Sequence, residues 1–321
     1  MKKDELRIVY EDRWLIAVEK PSGMLTMSTG KSGETTAYSI VYDYMQEKLR
    51  GGRVFIVHRL DKDTSGVLIF AKDHETKAAL QENWDNAGLQ VGNPLREATG
   101  AMVCLDVTEA ILDEAIAKGL NLIITHHPLI FRGLKSITGK THIERIVMRA
   151  IKNGIAIYSA HTNMDSAWGG VSHLIAKKMG LVDVEVLCPQ ADAQSGLGVV
   201  GNLPCEEDAL HFLTRVKEFF NVGAIRYGGD TSRPVRRVAI CGGAGVEFVG
   251  NAIAQGADVY VTGDVKYHDF QGVTDSILIA DIGHYESEYY TKEIFSEIIT
   301  KKIPNFAVQY AELEKNPINY L

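Results

Sequence analysis

AMVCLDVTEAILDEAIAKGLNLIITHH (101–127) decides the fold. AMVCLD (101–106) is a short apolar run. TEAILDEAIAKG (108–119) is a stretch of good helix formers closed by glycine, and NLIITHH (121–127) is a second apolar run. The two apolar runs are continuous rather than alternating, the pattern of strands buried on both faces, and a strand–helix–strand order implies parallel strands joined by helical crossovers. The same texture extends outward. HIERIVMRAIKNG (142–154) reads as a helix, IAIYSAHT (155–162) as a strand and VSHLIAKKMG (171–180) as a helix. After a middle segment of about fifty residues the alternation resumes. RRVAICGG (236–243), DVYVTGD (258–264) and SILIADIG (276–283) read as strands; VEFVGNAIAQG (246–256) and YESEYYTKEIFSEIITKKI (285–303) read as helices. The expectation is an α/β fold with two β/α lobes, about 98–185 and 235–312.

Toward the start of the chain the texture differs. RIVYEDRWLIAVEKPSG (7–23) gives two apolar runs ended by a turn. TTAYSIVYDYMQEKLR (35–50) has helical spacing and stops at Gly51-Gly52. VFIV (54–57) and VLIF (67–70) are strand-like and flank the polar loop HRLDKDTSG (58–66). Residues 1–72 therefore read as a strand-rich α+β segment. DHETKAALQENWDN (73–86) predicts a helix capped by Asp73, so the change of texture falls inside an element rather than in a linker.

The chain has 321 residues, 45% hydrophobic and 23% charged, enough for an ordinary core in two or more domains. A net charge of −7 argues against a protein held on nucleic acid by bulk charge. No apolar run reaches the ~18 residues of a spanning helix, and MKKDELRIVYEDRW (1–14) has no apolar stretch of a secretory signal. Cys104, Cys188, Cys205 and Cys241 form no CxxC pair and read as buried, reduced thiols of a cytoplasmic protein.

Acids and histidines gather where the strands run out: His126-His127 after NLIIT, His161 to Asp165 after IAIYSA, Asp264 and His268 after VYVTG, and Asp281 to Glu288 after SILIA. Open parallel sheets bind ligands beyond the carboxyl ends of their strands. Imidazole with carboxylate suits Zn, Fe or Mn better than Ca or Mg. His284 and Glu288, four apart at a helix start, share one face. Neighbouring strand residues point to opposite sides, so His126 and His127 share a site only if the strand ends there, as Pro128 favours. Each piece also has a plainer reading: a strand end with one imidazole in solvent, an Asn/Asp turn, a surface pair.

THHPLIFRGLKSITGK (125–140), SAHTNMDSAWGGVS (159–172), TGDVKYHD (262–269) and DIGHYESE (281–288), preceded by LQENWDNAGLQVGNP (80–94), together resemble the GTP cyclohydrolase 1 type 2 homologue family over 78–321. The resemblance implies a dinuclear centre of two divalent metal ions held by His126, His127, Asp165, His284 and Glu288. It also implies a ring-shaped homohexamer with the centres facing an inner cavity, in the family's form without an inserted domain. The activity implied is that of a metal-dependent hydrolase acting on a nucleotide such as GTP or a related small molecule. The alternative is a non-catalytic metal-binding protein of interaction or regulation. His161, Asp264, Lys266 and His268 are the next candidates, as groups that orient ligands or move protons. His268 is the choice for proton transfer, and His161 reads equally as a structural turn residue. CGGAGV (241–246), leading from strand to helix, is a weak signal for a phosphate cradle.

VHRLDKDTSGVLIFAK (57–72), preceded by VEKPSGMLT (18–26), resembles the RluA-type pseudouridine synthases. In that family the aspartate of HRLD, here Asp61, is catalytic, and His58, Arg59, Thr64, Ser65 and Gly66 belong to its loop. The bare reading is a polar hairpin loop. The resemblance stops near Ala78, and the family's later segments around the target uracil are absent. A flipped base needs a pocket closed on several sides. Pseudouridine synthase activity and an RNA partner are therefore not expected. LQENWDN (80–86) suits both families and reads as the joint between a truncated synthase-like segment, 1–77, and a metal-binding domain, 78–321. The truncation is expected to leave an unpaired sheet edge in 1–72.

Overall fold

A computed structural model describes residues 6–27, 35–48, 52–56, 62, 65–73, 85–189 and 195–321. The chain divides into two compact units, Met1–Trp84 and Asp85–Leu321. The loop residues His58, Arg59, Asp61 and Thr64, and the helix expected over 73–86 apart from its ends, lie outside the described residues.

In the first unit, β1 (Arg7–Glu11), β2 (Leu15–Lys20), β3 (Phe55–Ile56) and β4 (Gly66–Ala71) form an antiparallel sheet in the order β1-β2-β4-β3. Helix α1 (Ala37–Lys48) lays Val41 and Met45 against Ile16, Val18, Leu68 and Phe70. Among the described residues β1 is an edge of this sheet, and its Ile8, Val9 and Tyr10 are exposed. Glu11 ties this sheet to the helix: Lys48 Nζ and Lys72 Nζ lie 2.8 and 2.7 Å from its two carboxylate oxygens.

The second unit holds two sheets. In the first, β6 (Ala101–Cys104), β7 (Leu122–Thr125) and β8 (Ala156–Ser159) run parallel, β5 (Gly88–Val91) adds antiparallel to β8, and β15 (Val308–Tyr310) adds parallel to β6. The crossovers are α2 (Glu109–Ala117) and α3 (His142–Asn153). Thr108 and Thr141 cap them through their hydroxyls, and Gly154 ends α3 in the left-handed conformation. Met102, Cys104, Ile123 and Ile157 face these helices; Val103 and Ile124 face Phe295 on the other side. That two-sided burial is why the strands are apolar without alternation.

The second sheet has the order β11-β14-β13-β12-β10-β9. Parallel β12 (Val235–Ile240), β13 (Val259–Thr262) and β14 (Leu278–Asp281) form its centre. Antiparallel β9 (Val182–Pro189), β10 (Gly196–Glu207) and β11 (Arg226–Gly228) extend it. Helices α4 (Thr162–Ser166), α5 (Val171–Lys178), α6 (Ala209–Phe219), α7 (Val249–Ala254), α8 (Tyr267–Val273), α9 (His284–Glu288) and α10 (Thr291–Lys302) complete the unit.

Three details differ from the sequence reading. The middle segment, to which the sequence reading assigned no element, supplies β9, β10 and β11 to the second sheet, while β15 returns from the second block to the first sheet. The long helix expected over 285–303 is two helices, α9 ending at Glu288 and α10 starting at Thr291, whose hydroxyl donates to the Glu288 carbonyl at 2.7 Å across the break. All four cysteines are free, but Cys205 is exposed and Cys188 half-buried. No helix among the described residues is long and apolar enough to cross a membrane.

Candidate metal centre

The carboxyl ends of the parallel strands of both sheets carry the polar groups. After β7 the backbone keeps its ladder for two residues, His126 N donating to Cys104 O and His127 N to Leu105 O. His126 is fully buried and His127 partly so, yet their rings lie 5.0 Å apart. Beyond β8, α4 brings Asp165 one turn past His161. In α9, His284 and Glu288 stand one turn apart on a five-residue helix.

All five expected ligands meet. Glu288 is the hub: its Oε1 lies 3.5 Å from His126 Nε2, and its Oε2 lies 2.8 Å from His127 Nε2 and 3.1 Å from His284 Nε2. Asp165 Oδ2 lies 3.7 Å from His126 Nε2. Two three-residue groups with converging ligand atoms result, His126–Asp165–Glu288 and His127–His284–Glu288, and one carboxylate belongs to both. A third, His126–His127–His161, adjoins them.

Each imidazole is held by its other nitrogen. His126 Nδ1 lies 3.2 Å from Ala160 O, His127 Nδ1 3.0 Å from Asp106, His161 Nδ1 2.6 Å from Asp85 and His284 Nδ1 2.8 Å from Asp264. Oxygen acceptors at Nδ1 fix the tautomer that presents a bare Nε2, the arrangement that orients metal-ligating histidines. Asp264 sits at φ 56°, an uncommon conformation for a residue with a side chain, where its carboxylate meets His284. Asp85 and Asp106 are the groups that sequence reasoning missed. Asp106 carried the same signal as the others, an acid at a strand's carboxyl end; Asp85 carried none.

CGGAGV packs against the hub. Gly243 has φ 66°, and a Cβ there would stand 2.1 Å from Glu288 Oε1. The N–H groups of Gly243 and Gly245 donate to Ser287 Oγ and Thr262 Oγ1, so these two are not aimed at a phosphate. His268 stands outside the three ligand groups, exposed on the first turn of α8 with Nδ1 3.4 Å from Gln271 Oε1. Lys266, just before that helix, is exposed as well.

The electrostatics follow from these contacts. Burial raises the Glu288 carboxyl, but three imidazoles more than offset it and hold its pKa well below the ordinary value. Burial lowers His127, and the Asp106 and Glu288 carboxylates carry it up to about 10. His284 is carried to about 9 against burial by Glu288 and Asp264. Burial lifts Asp165 to about 6. Burial also lowers His161, which keeps it neutral despite Asp85.

These residues fit divalent ions. His126 Nε2 is fully buried with no hydrogen-bond partner among the described residues, an arrangement that costs about 1–3 kcal/mol when nothing satisfies it. His127 and His284 turn their Nε2 atoms toward each other at 3.1 Å beside the same carboxylate oxygen. Imidazole nitrogens and carboxylate oxygens are the donor set of Zn, Fe and Mn.

Comparison with known proteins places these features in context. The family model described as Duf34/NIF3 (NGG1p interacting factor 3) matches residues 68–317, and one described as RNA pseudouridylate synthase matches residues 14–90. A curated relative from Lactococcus lactis, named GTP cyclohydrolase 1 type 2 homolog, is 38% identical over 226 residues, 69% of this chain and 84% of its own length. One of the same name from Clostridium perfringens is 38% identical over 65% of this chain and 81% of its own. A solved Staphylococcus aureus structure matches with a TM-score of 0.70 at 30% identity, over 78% of this chain and 96% of that one. A Bacillus cereus protein related to NIF3 matches with a TM-score of 0.68 at 27% identity, over 74% and 93%.

Proposed function

The chain belongs to the Duf34/NIF3 family, and on that premise we propose that it holds two divalent metal ions and hydrolyses a nucleotide or related small molecule. The observation that carries the reading is the shared carboxylate. One oxygen of Glu288 faces His126 and the other faces His127 and His284, so a single side chain serves two ligand groups. Such a shared carboxylate would hold two ions close enough to act on one reactant. His126, Asp165 and Glu288 would hold one ion and His127, His284 and Glu288 the other. Three protein donors each leave room for a reactant, whereas structural sites are closed by four.

Ions bound there would polarise a substrate oxygen and acidify a water beside it. The chain's own residues set the stage for this. Asp106 and Asp264 fix the tautomers of His127 and His284, and Gly243 leaves the space that the Glu288 carboxylate fills. The names of the curated relatives support a nucleotide as substrate. The same reading takes the assembly to be a ring-shaped homohexamer, which sedimentation velocity tests directly.

The decisive experiment loads the full chain with Zn, Mn or Fe(II) and screens nucleoside triphosphates and phosphoesters by chromatography. Turnover abolished in His127→Ala and by chelation is expected. Stoichiometric metal with no turnover on any substrate class would leave a metal-binding protein and refute the hydrolase.

A further inference from the structure

Asp85 is deeply placed, its side chain 1% exposed. Its Oδ2 accepts from Thr162 N at 3.0 Å and Thr162 Oγ1 at 2.7 Å, which leaves Oδ1 for His161 Nδ1 at 2.6 Å. The carboxylate is therefore clamped at the first residue of α4, the helix that carries Asp165. With Nδ1 committed, the remaining nitrogen of His161 is Nε2, which takes no hydrogen bond among the described residues. A turn histidine kept for local structure would show its contacts within the turn. This ring instead lies against His126 and His127, at centroid distances of 5.3 and 5.7 Å, and edge-on to Phe131 at 6.3 Å.

We propose that His161 is a sixth protein ligand of the centre and that Asp85 is the positioning residue that holds it there. The inference rests on the proposed metal centre and assigns a donor beyond the five. His126, His127 and His161 present nitrogens within 4.8 Å of one another, and this trio shares one histidine with each Glu288-containing group. His126 Nε2 is buried with no hydrogen-bond partner among the described residues, on a ring 5.3 Å from that of His161. The pairing of Asp85 with His161 repeats that of Asp106 with His127 and of Asp264 with His284, so the same orienting device serves three imidazoles. A fourth donor to one ion makes the two positions unequal: one is closed by protein and the other stays open to a reactant.

Cobalt(II) titration of the full chain, followed by ligand-field absorbance and equilibrium dialysis, tests this. The wild type should take two equivalents. His161→Ala should weaken one of them at least roughly 100-fold and alter its absorbance, and Asp85→Asn, which keeps size and shape, should weaken the same equivalent roughly 10–100-fold. Added imidazole should restore the signal in His161→Gly. Two equivalents of unchanged affinity and spectrum in folded His161→Ala, or in Asp85→Asn if the alanine variant does not fold, would overturn the sixth ligand alone. A wild type that binds no cobalt would overturn the metal centre and this inference together.

Discussion

Glu288 Oε2 lies 2.8 Å from His127 Nε2, although the two residues are 161 positions apart and follow strands of different sheets. The contact makes one carboxylate the meeting point of both halves of the second unit.

Because Glu288 serves both ligand groups, Glu288→Gln should depress the affinity for both ions, whereas His284→Ala should depress one. Metal content after dialysis separates the two patterns. Equal retention of one ion in both variants would contradict the shared role.

Metal binding should strengthen as pH rises. In the metal-free protein the Glu288, Asp106 and Asp264 carboxylates raise the His127–His284 pair against burial, to about 10 and about 9, so the pair holds protons at neutral pH that it must release to bind an ion. Calorimetry in buffers of differing ionisation enthalpy should show proton release between about pH 6.5 and 9. The same groups act oppositely on the metal-free fold. Their raised values stabilise it fully below the ordinary histidine pKa, and this is lost as pH climbs through 9 to 10. The thermal midpoint of chelator-treated protein should fall across that window.

Gly243→Ala should destabilise the second unit by about 1–3 kcal/mol, since its left-handed backbone strains any side chain and the new Cβ would meet Glu288. Urea unfolding reads the loss, and an unchanged midpoint would count against the packing described.

Glu114 is buried, pairs with Lys118 and accepts from the backbone N–H groups of Glu312 and Leu313. Glu114→Ala leaves those donors without their acceptor, at a cost of about 1–3 kcal/mol. Hydrogen exchange at Glu312 and Leu313 should speed up with it; unaltered exchange would argue against the tether.

No pseudouridine should form. A tritium-release assay on transfer or ribosomal RNA should give no turnover with the full chain, and turnover that vanished in Asp61→Ala would reverse this.

The central strands were legible because burial on both faces writes itself as an unbroken apolar run, as in Leu122–Thr125 and Val259–Thr262. His284 and Glu288 were legible as a pair because helical spacing is local. Spacing alone gathered acids and histidines at strand ends; the family resemblance selected the five. The break after α9 was not legible, since the helical spacing of 285–303 runs through Tyr289 and Tyr290 without a glycine or proline to mark it. Nor was Asp85, which reaches His161 across 76 positions by a contact that no periodicity encodes. The strands β9 and β10 sat in a segment outside the β/α rhythm, and only their antiparallel pairing assigns them to the second sheet.

Strand β15 pairs with β6 across some two hundred residues, and Glu314, close behind it, accepts from Leu105 N and from Lys292. The first sheet is thus finished by a strand that follows every strand of the second sheet in sequence. Without β15 the strand β6 lacks its outer neighbour, and without α9 His127 lacks its contacts to Glu288 and His284. The helix α9, which carries His284 and Glu288, and the strand β15 lie close together in sequence, so one stretch of chain supplies both closures. Long-range closure of this kind slows folding, and it means that a nascent chain stalled before Gly283 could trap no ion with the shared carboxylate.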